Sequence, residues 1–366
     1  MMNWLPTTLA LLLLTAATTA SAQSGDWKPA WDKLVADAKK EGKVVIIAPP
    51  DPQVREALPT AFKAKYGITV EYLGGRSTET AARLRTERAS GIYSVDIALS
   101  GIQTMATVFH REKMLDPLKP VLMHPDVIDG SKWKSGKPWF MDPEEQYVLR
   151  LFSTLGAFFY INTDKVKPDE IKFFRDLLDP KWKGKIAAHD PTVSGTGSTD
   201  AARLYVQFGE DFVKKFYVDQ KPAISRDRRQ ITDWLVRGNY PIAFGVEDDD
   251  LEKLRAEGFP ILPIYGLSDL KGSLSAGVGQ VALMSNAPHP NAAKLFINWI
   301  ASKEGLEIYA DTRGGAPTRT DIDALKFMPA EAIPKPGIDY FDSYDWEFTV
   351  TTKEKIRAYM NEIMKP

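Results

Sequence analysis

The sequence predicts an α/β fold of two lobes, each a doubly wound sheet with flanking helices. Three observations carry that expectation. Val44, Val45, Ile46, Ile47 and Ala48 form a continuous apolar run, the mark of a strand buried on both faces as in a parallel sheet. Strand and helix patterns alternate as β-α-β-α-β over residues 44–99. The chain has 366 residues, more than a single hydrophobic core usually organises, so two lobes are expected.

In chain order, Trp27, Trp31, Leu34, Val35 and Ala38 recur at helical spacing, and Gly42 follows as a stop. The first strand, 44–48, runs into a Pro-rich loop at residues 49–52 and a helix using Leu58, Phe62 and Tyr66. A strand at 68–73 precedes Gly74-Gly75-Arg76-Ser77 and a helix at 78–90; a third strand, 95–99, ends at Ser100-Gly101. Residues 117–143 are rich in Pro, Lys and Trp without a clear period and read as a surface excursion. The apolar stretch 147–161 suits a connection between lobes. In the second lobe the patterns give helices at 171–178, from 198, at 229–237 and at 251–257, with strands at 185–188 and 241–245. Residues 261–284 hold short apolar runs around Gly-rich turns and read as the return crossing. A helix at 291–299 places Ala292, Leu295, Phe296 and Trp299 on one face. The aromatic set Tyr340, Phe341, Tyr344, Trp346 and Phe348 reads as docking the tail.

The amino terminus assigns a compartment. An apolar run at residues 9–17 is too short to span a bilayer, and Ala20-Ser21-Ala22 gives the small-x-small pattern of a cleavage site. The expectation is an export signal over residues 1–22, cleaved after Ala22, and a mature protein in the periplasm. The chain contains no Cys, so the fold is held by its core and not by disulfides. Basic and acidic residues number 47 and 48, a balance that gives no support to nucleic-acid binding.

Ligands of open α/β lobes bind beyond the carboxyl ends of strands, where helix amino termini present N–H groups. Gly74-Gly75-Arg76-Ser77-Thr78 has that placement: the glycines admit a ligand, the hydroxyls donate, and Arg76 grips an anion. The alternative is an ordinary strand–helix loop capped by Ser77 or Thr78. Ser100 stands at the next strand end. The second loop, Asp190-Pro191-Thr192-Val193-Ser194-Gly195-Thr196-Gly197-Ser198-Thr199, puts two glycines and several hydroxyls before a helix, but lacks the Lys of a phosphate-binding P-loop and the third Gly of a dinucleotide fingerprint. The run 225–230 offers Arg228 for bidentate contacts, or else forms a solvated face. Glu247 and the acids at 248–250 complement a helix amino terminus or bind a cation. Arg313-Gly314-Gly315 reads as a turn near the cleft. Tyr160, Asn162 and Trp139 surround the first crossing and either shape the pocket or belong to the core. No G-x-S-x-G elbow occurs, and His110, His124, His189 and His289 are scattered without helical metal spacing.

Several segments resemble bacterial extracellular solute-binding proteins of family 1. They are Asp176-Leu177-Leu178-Asp179-Pro180-Lys181-Trp182-Lys183-Gly184-Lys185-Ile186, and His289-Pro290-Asn291-Ala292-Ala293-Lys294-Leu295-Phe296-Ile297-Asn298-Trp299 followed by Ser302-Lys303-Glu304-Gly305. Lys40-Glu41-Gly42-Lys43-Val44 and Tyr66-Gly67-Ile68 are similar too. The resemblance implies a type II periplasmic-binding-protein fold with two inter-lobe crossings, closing on a small-molecule ligand that passes to the membrane permease of an ABC importer. It places the Ser194–Thr199 loop at the cleft. The ferric-ion binders of this family hold the metal with adjacent tyrosines; the matching stretch here, Phe244-Gly245-Val246-Glu247-Asp248-Asp249-Asp250, has none.

The resulting expectation is lobe 1 over residues 23–150 and 265–310, lobe 2 over 151–264, and a C-terminal segment, 311–366, packing across the lobes. The expected ligand set is Gly75, Arg76, Ser77, Ser100, Ser194, Gly195, Thr196, Gly197, Arg228 and Glu247, with no catalytic or metal-binding residue and no cofactor. The expected solute is an organic or phosphorylated anion, bound by a monomer. A ferric or other metal-ion receptor and a secreted hydrolase are the alternatives.

Overall fold

The computed structural model describes residues 27–365, without the side chains of Ser77, Thr78 and residues 248–250. The export signal therefore lies outside the described residues. Helix α1 (Trp27–Glu41) leads into β1 (Lys43–Ala48), α2 (Pro52–Tyr66), β2 (Thr69–Gly74), α3 (Ser77–Ala89) and β3 (Ile97–Leu99). A short α4 (Ile102–Thr104) continues as a π-helical turn, Met105–His110. Strand β4 (Leu115–Asp116) and α5 (Pro125–Ile128) lie in the surface excursion. Strands β5 (Val148–Arg150), β6 (Thr154–Gly156) and β7 (Phe159–Asn162) follow in close succession.

Next come β8 (Ile186–His189), α6 (Thr196–Phe208), α7 (Glu210–Lys214), β9 (Ala223–Ser225), α8 (Arg228–Val236), β10 (Ile242–Phe244), α9 (Asp248–Ala256) and β11 (Ile261–Ile264). The chain returns through β12 (Ser273–Ser275) and β13 (Gln280–Met284) to α10 (Pro290–Ala301) and α11 (Lys303–Arg313), and ends with β14 (Phe341–Asp342) and α12 (Lys353–Ile363).

Two sheets result. One has the order β2-β1-β3-β13, with β4 and β5 both pairing β13; the other has the order β11-β7-β10-β8-β9. In the first, β1 runs parallel to β2 and β3, and its residues alternate between two apolar clusters: Val44 and Ile46 face one, Val45 and Ile47 the other. Burial on both faces is what the unbroken apolar run encodes. The second sheet repeats the arrangement, with Ile186 and Ala188 in one cluster and Ala187 in another.

A third, small sheet, β14-β12-β6, joins the two. The outgoing crossing β6 and the returning crossing β12 are antiparallel neighbours, with Gly156 opposite Ser273. The tail adds β14 parallel to β12. Tyr344 and Trp346 then pack on the cluster behind the first sheet, whereas Phe341 and Phe348 pack on a cluster of the second. At this junction sits Arg150, with no solvent exposure. Its Nε donates to the Phe152 carbonyl at 2.9 Å and its Nη1 to Asp342 at 2.5 Å, and its guanidinium lies 4.5 Å from the centre of the Trp139 ring.

Two elements differ from expectation. The helix read at 171–178 is a 3₁₀ turn, Phe174–Leu178. Asp176 and Asp269 cap its N–H groups, and the turn stops after five residues because Asp179, which precedes Pro180, is held at ψ 134°, outside the helical region. The stretch 147–161 is not one extended connection but three short strands, one in each sheet.

Removing Asp342 leaves a buried cation without its counter-charge. Asp342→Ala is expected to lower the unfolding free energy by about 3 kcal/mol in urea titrations. Arg150→Met, which removes the charge itself, is expected to cost less.

Candidate functional site

Between the two sheets lies a cavity of about 760 Å³. One wall is the loop after β1, residues 49–53, together with Thr312, Arg313 and Gly314 at the end of α11; the other is α9, through Glu252 and Lys253. A smaller space of about 120 Å³, lined by Phe152, Thr154 and residues 275–278, shares Arg313 and Gly314 with it, so the crossing strands form the floor.

The loop after β1 is set by local chemistry. Pro52 occupies the first turn of α2, and the Asp51 carboxylate accepts from the N–H groups of Gln53 (2.9 Å) and Val54 (3.2 Å), capping the helix. The Tyr72 hydroxyl donates to the Pro49 carbonyl at 2.6 Å. Burial, and next the charge of Asp51, push that hydroxyl's pKa well above the usual range. Arg313 closes α11, and its Nη1 lies 3.8 Å from Asp51 Oδ2.

The residues singled out from sequence fall into two groups. In the first lobe, Gly75 donates to the Ala48 carbonyl at 3.1 Å and Ser100 to that of Gln280 at 3.3 Å. Gly75 and Ser100 meet around a void of about 10 Å³ at the ends of β1 and β3. Arg76 occupies the N-cap position of α3, but its side chain is 81% exposed and 3.9 Å from Glu79, outside the cavity lining. Ser77 opens α3; its side chain is not among those described.

In the second lobe the hub is His189, the last residue of β8. Its Nδ1 accepts the Gly197 N–H at 3.1 Å. A Cβ at Gly197 would lie 2.4 Å from the His189 carbonyl oxygen, and one at Gly245 2.5 Å from the His189 Cβ, so both glycines are required by packing against this residue. Gly195 and Ser194 are exposed, and the hydroxyls of Ser198 and Thr199 turn back onto the Gly195 carbonyl at 3.0 Å. The Thr196 hydroxyl is buried and makes no hydrogen bond. Arg228 reaches the carbonyls of Gly245 (3.2 Å) and Val246, and its Nη1 lies 3.1 Å from Glu247. Arg226 holds Asp190 at 2.8 Å. Arg228 and Glu247 thus brace the exit of β10 and pair with each other.

Of the expected set, then, the structure brings Gly75 together with Ser100, and Gly197 and Thr196 together with Arg228 and Glu247 around the ends of β8 and β10. The cavity lining includes Asp51, Glu252, Lys253 and Thr312, which were not among the expected ligand residues, and Arg313, read from sequence as part of a turn near the cleft but left out of that set. A signal was present for Asp51. It follows the first buried strand directly and stands before a Pro that starts a helix, the placement that made the Gly75 loop a candidate.

The electrostatics are local. Burial, then the charge of Arg228, lower the His189 pKa below its ordinary 6.5. Burial pushes Asp190 upward, but the Thr192 hydroxyl and Arg226 outweigh it and hold the carboxyl below its usual range.

The profile of the family described as bacterial extracellular solute-binding protein matches residues 57–335. The chain belongs to that family. An uncharacterised protein of Haemophilus influenzae is 26% identical over 345 residues, covering 89% of this chain and 92% of its own. Among solved structures, the iron- and citrate-bound IdiA (FutA) of Trichodesmium superposes with a TM-score of 0.65 at 17% identity, covering 88% of this chain and 99% of that one. The fructose-6-phosphate-bound AfuA of Actinobacillus pleuropneumoniae gives 0.63 at 21% identity, covering 89% and 100%. The fold is therefore the two-lobed periplasmic-binding-protein fold, and the role is that of the solute-binding component of an ABC importer. Members of the family are extracellular binding proteins and not enzymes.

Two outcomes follow. Thr196→Val removes a buried hydroxyl that makes no bond, so melting experiments should show stability unchanged or raised, by up to about 1 kcal/mol. His189 must be neutral to accept the Gly197 N–H. Its folded pKa lies below the unfolded value, so unfolding takes up a proton and the site's contribution is full above that value and lost as pH falls through the folded pKa. The melting temperature should drop between about pH 7 and pH 5, and His189→Gln should make the drop shallower.

Proposed function

We propose that this protein captures a small organic or phosphorylated anion in the cavity between its sheets and delivers it to its permease by hinge closure. The observation that carries the reading is the pair of cations on opposing walls, Arg313 from α11 and Lys253 from α9. A volume of about 760 Å³ suits a small metabolite. The amino terminus of α2 at Asp51 borders the same space, and those of α3 and α6 stand at neighbouring strand ends, where backbone N–H groups favour anions. The adjacent crossings β6 and β12 supply a two-strand hinge about which the walls approach each other. Contacts from both walls stabilise the closed state, and the ligand thereby shifts the equilibrium. The protein works as a monomer in the periplasm after cleavage behind Ala22.

The ferric reading has less support. Among the described residues, no tyrosine or histidine lines the cavity. The two phenols near it, Tyr72 and Tyr309, are pushed away from the phenolate form by burial. No group of three or more His, Cys, Asp or Glu placed to hold a metal ion occurs among the described residues.

A thermal-shift screen tests the proposal. An anion present at about 100 times its Kd should stabilise by about 2.7 kcal/mol. Small-angle scattering should show compaction with the same compound. Arg313→Ala and Lys253→Ala should each weaken binding by about 1.5–3 kcal/mol. Stabilisation by neutral sugars alone would overturn the reading, and a coloured one-to-one complex with ferric citrate would restore the metal.

A further inference from the structure

The two main sheets share a front and a rear. On the first sheet, Val44 and Ile46 face the cluster that holds Leu58 of α2 and Tyr309 of α11, whereas Val45 and Ile47 face the cluster of Met105 and Phe109. On the second, Ala187 shares a cluster with Leu251 of α9, whereas Ile186 and Ala188 share one with Phe348, Ile356 and Met360 of the tail. The cavity is walled by the ends of α2 and α11 and by α9, so it lies at the front. The tail packs on the opposite face of both sheets, so it lies at the rear. We propose that the tail is a rear latch: its contact with the first lobe, made by Trp346 and Val350, opposes closure of the cavity and parts when the lobes close. The inference rests on the reading of that cavity as one that closes about the crossing strands.

Hinge geometry carries the argument. The crossing strands floor the cavity, and the tail leaves the same small sheet through β14. A rotation about those strands that narrows the front therefore widens the rear. The tail does not follow the first lobe in such a rotation, because most of it is tied to the second. Phe348, Ile356 and Met360 are buried in the second sheet's cluster. Tyr359 lies edge-on to Tyr205 of α6 with ring centres 5.7 Å apart, and Asn361 Nδ2 donates to the Thr192 carbonyl at 3.2 Å. Trp346 and Val350 face the other way. Both pack on the cluster of Met105 and Phe109, and Trp346 meets the His110 ring edge-on with centres 4.9 Å apart.

This contact is thin enough to part. A groove of about 440 Å³ runs between Gln103, Ala106, Thr107 and His110 on the first lobe and Trp346 and Val350 on the tail. Gln103 Oε1 is buried there and accepts no hydrogen bond. A buried acceptor left unmet gains a bond when it reaches water, so parting the walls recovers some of what the apolar contact loses. The groove runs between two π-helical turns, Met105–His110 and Phe348–Thr352, a form that occurs as single turns within α-helices and often at functional sites. A latch of two side chains biases a two-state equilibrium without fixing it, and a solute that touches both front walls overcomes it.

The chain has no Cys, so labels can be placed on it singly. In the mature chain, Glu56→Cys on α2 and Glu257→Cys just past α9, both exposed, carry spin labels on the two sides of the front. Pulsed dipolar spectroscopy then reads their separation with no solute present. Trp346→Ala should raise the ratio of short to long separations by about tenfold, and the milder Val350→Ala should raise it less. Melting curves confirm that each variant is folded. Leu34→Ala, in the core under α1 and away from the tail, lowers the melting temperature and should leave the ratio unchanged. A ratio unchanged or lowered in both folded tail variants would overturn the latch, as would an equal rise in Leu34→Ala. Because no solute is present, these outcomes are independent of which solute binds, and the anion reading is judged separately by the thermal-shift screen.

Discussion

A buried guanidinium fixes the relation between the two lobes. Arg150 lies at the end of the first sheet's edge strand, without solvent contact, and its charge is answered by Asp342 on a strand contributed by the tail. Burying a cation is costly, and the cost is offset only if the partner is delivered in place. The tail must therefore return to the crossing sheet for the junction to form. That sheet is small, with strands of two or three residues. Its pairing is held from the sides, by Arg150 beneath and by the aromatic residues that clamp the tail to both lobes. In the proposed closure this narrow, laterally braced sheet is the hinge.

The loops at the strand ends show how packing and function share one set of residues. Gly197 and Gly245 have the composition of an oxyanion loop, yet each abuts His189 so closely that any side chain would collide. Arg228 has the composition of a ligand clamp, yet it ties together carbonyls at the exit of β10 and pairs with Glu247. These residues shape the second lobe's rim. The charges that face the cavity come instead from helix ends and one helix face. Asp51 caps the start of α2 and Arg313 stands in the last turn of α11, where the helix dipole favours a cation.

Much of the fold was legible in the sequence. The apolar runs of β1, β8 and β10 stand out because a strand covered on both faces tolerates no polar residue in alternation. Gly42 and Gly67, both at positive φ, mark where helices α1 and α2 stop. The expected binding loops did land at strand ends, because that placement follows from the order of strand and helix alone. What misled was local competition. The 3₁₀ turn at Phe174–Leu178 has a helical apolar pattern, but Asp179, held out of the helical region before Pro180, ends it after five residues. Helix α11, with Leu306, Tyr309 and Ala310 buried, went unread behind the stronger signal of α10.

By itself, then, the sequence determined β1, β2, β3, β8 and β10, most of the longer helices, the family and the absence of a tyrosine pair in the stretch matching the ferric binders. These depend on short-range pattern: burial period, caps and motifs within a few residues of one another. Tertiary structure decided which charges share a cavity. Asp51 and Arg313 are 262 positions apart, and Glu252 joins them from a different lobe. The crossing sheet likewise pairs Gly156 with Ser273 and Ser273 with Phe341. Such meetings are set by how two lobes pack about a hinge, and the Coulomb interactions they create act through space over a few ångströms, whatever the separation along the chain.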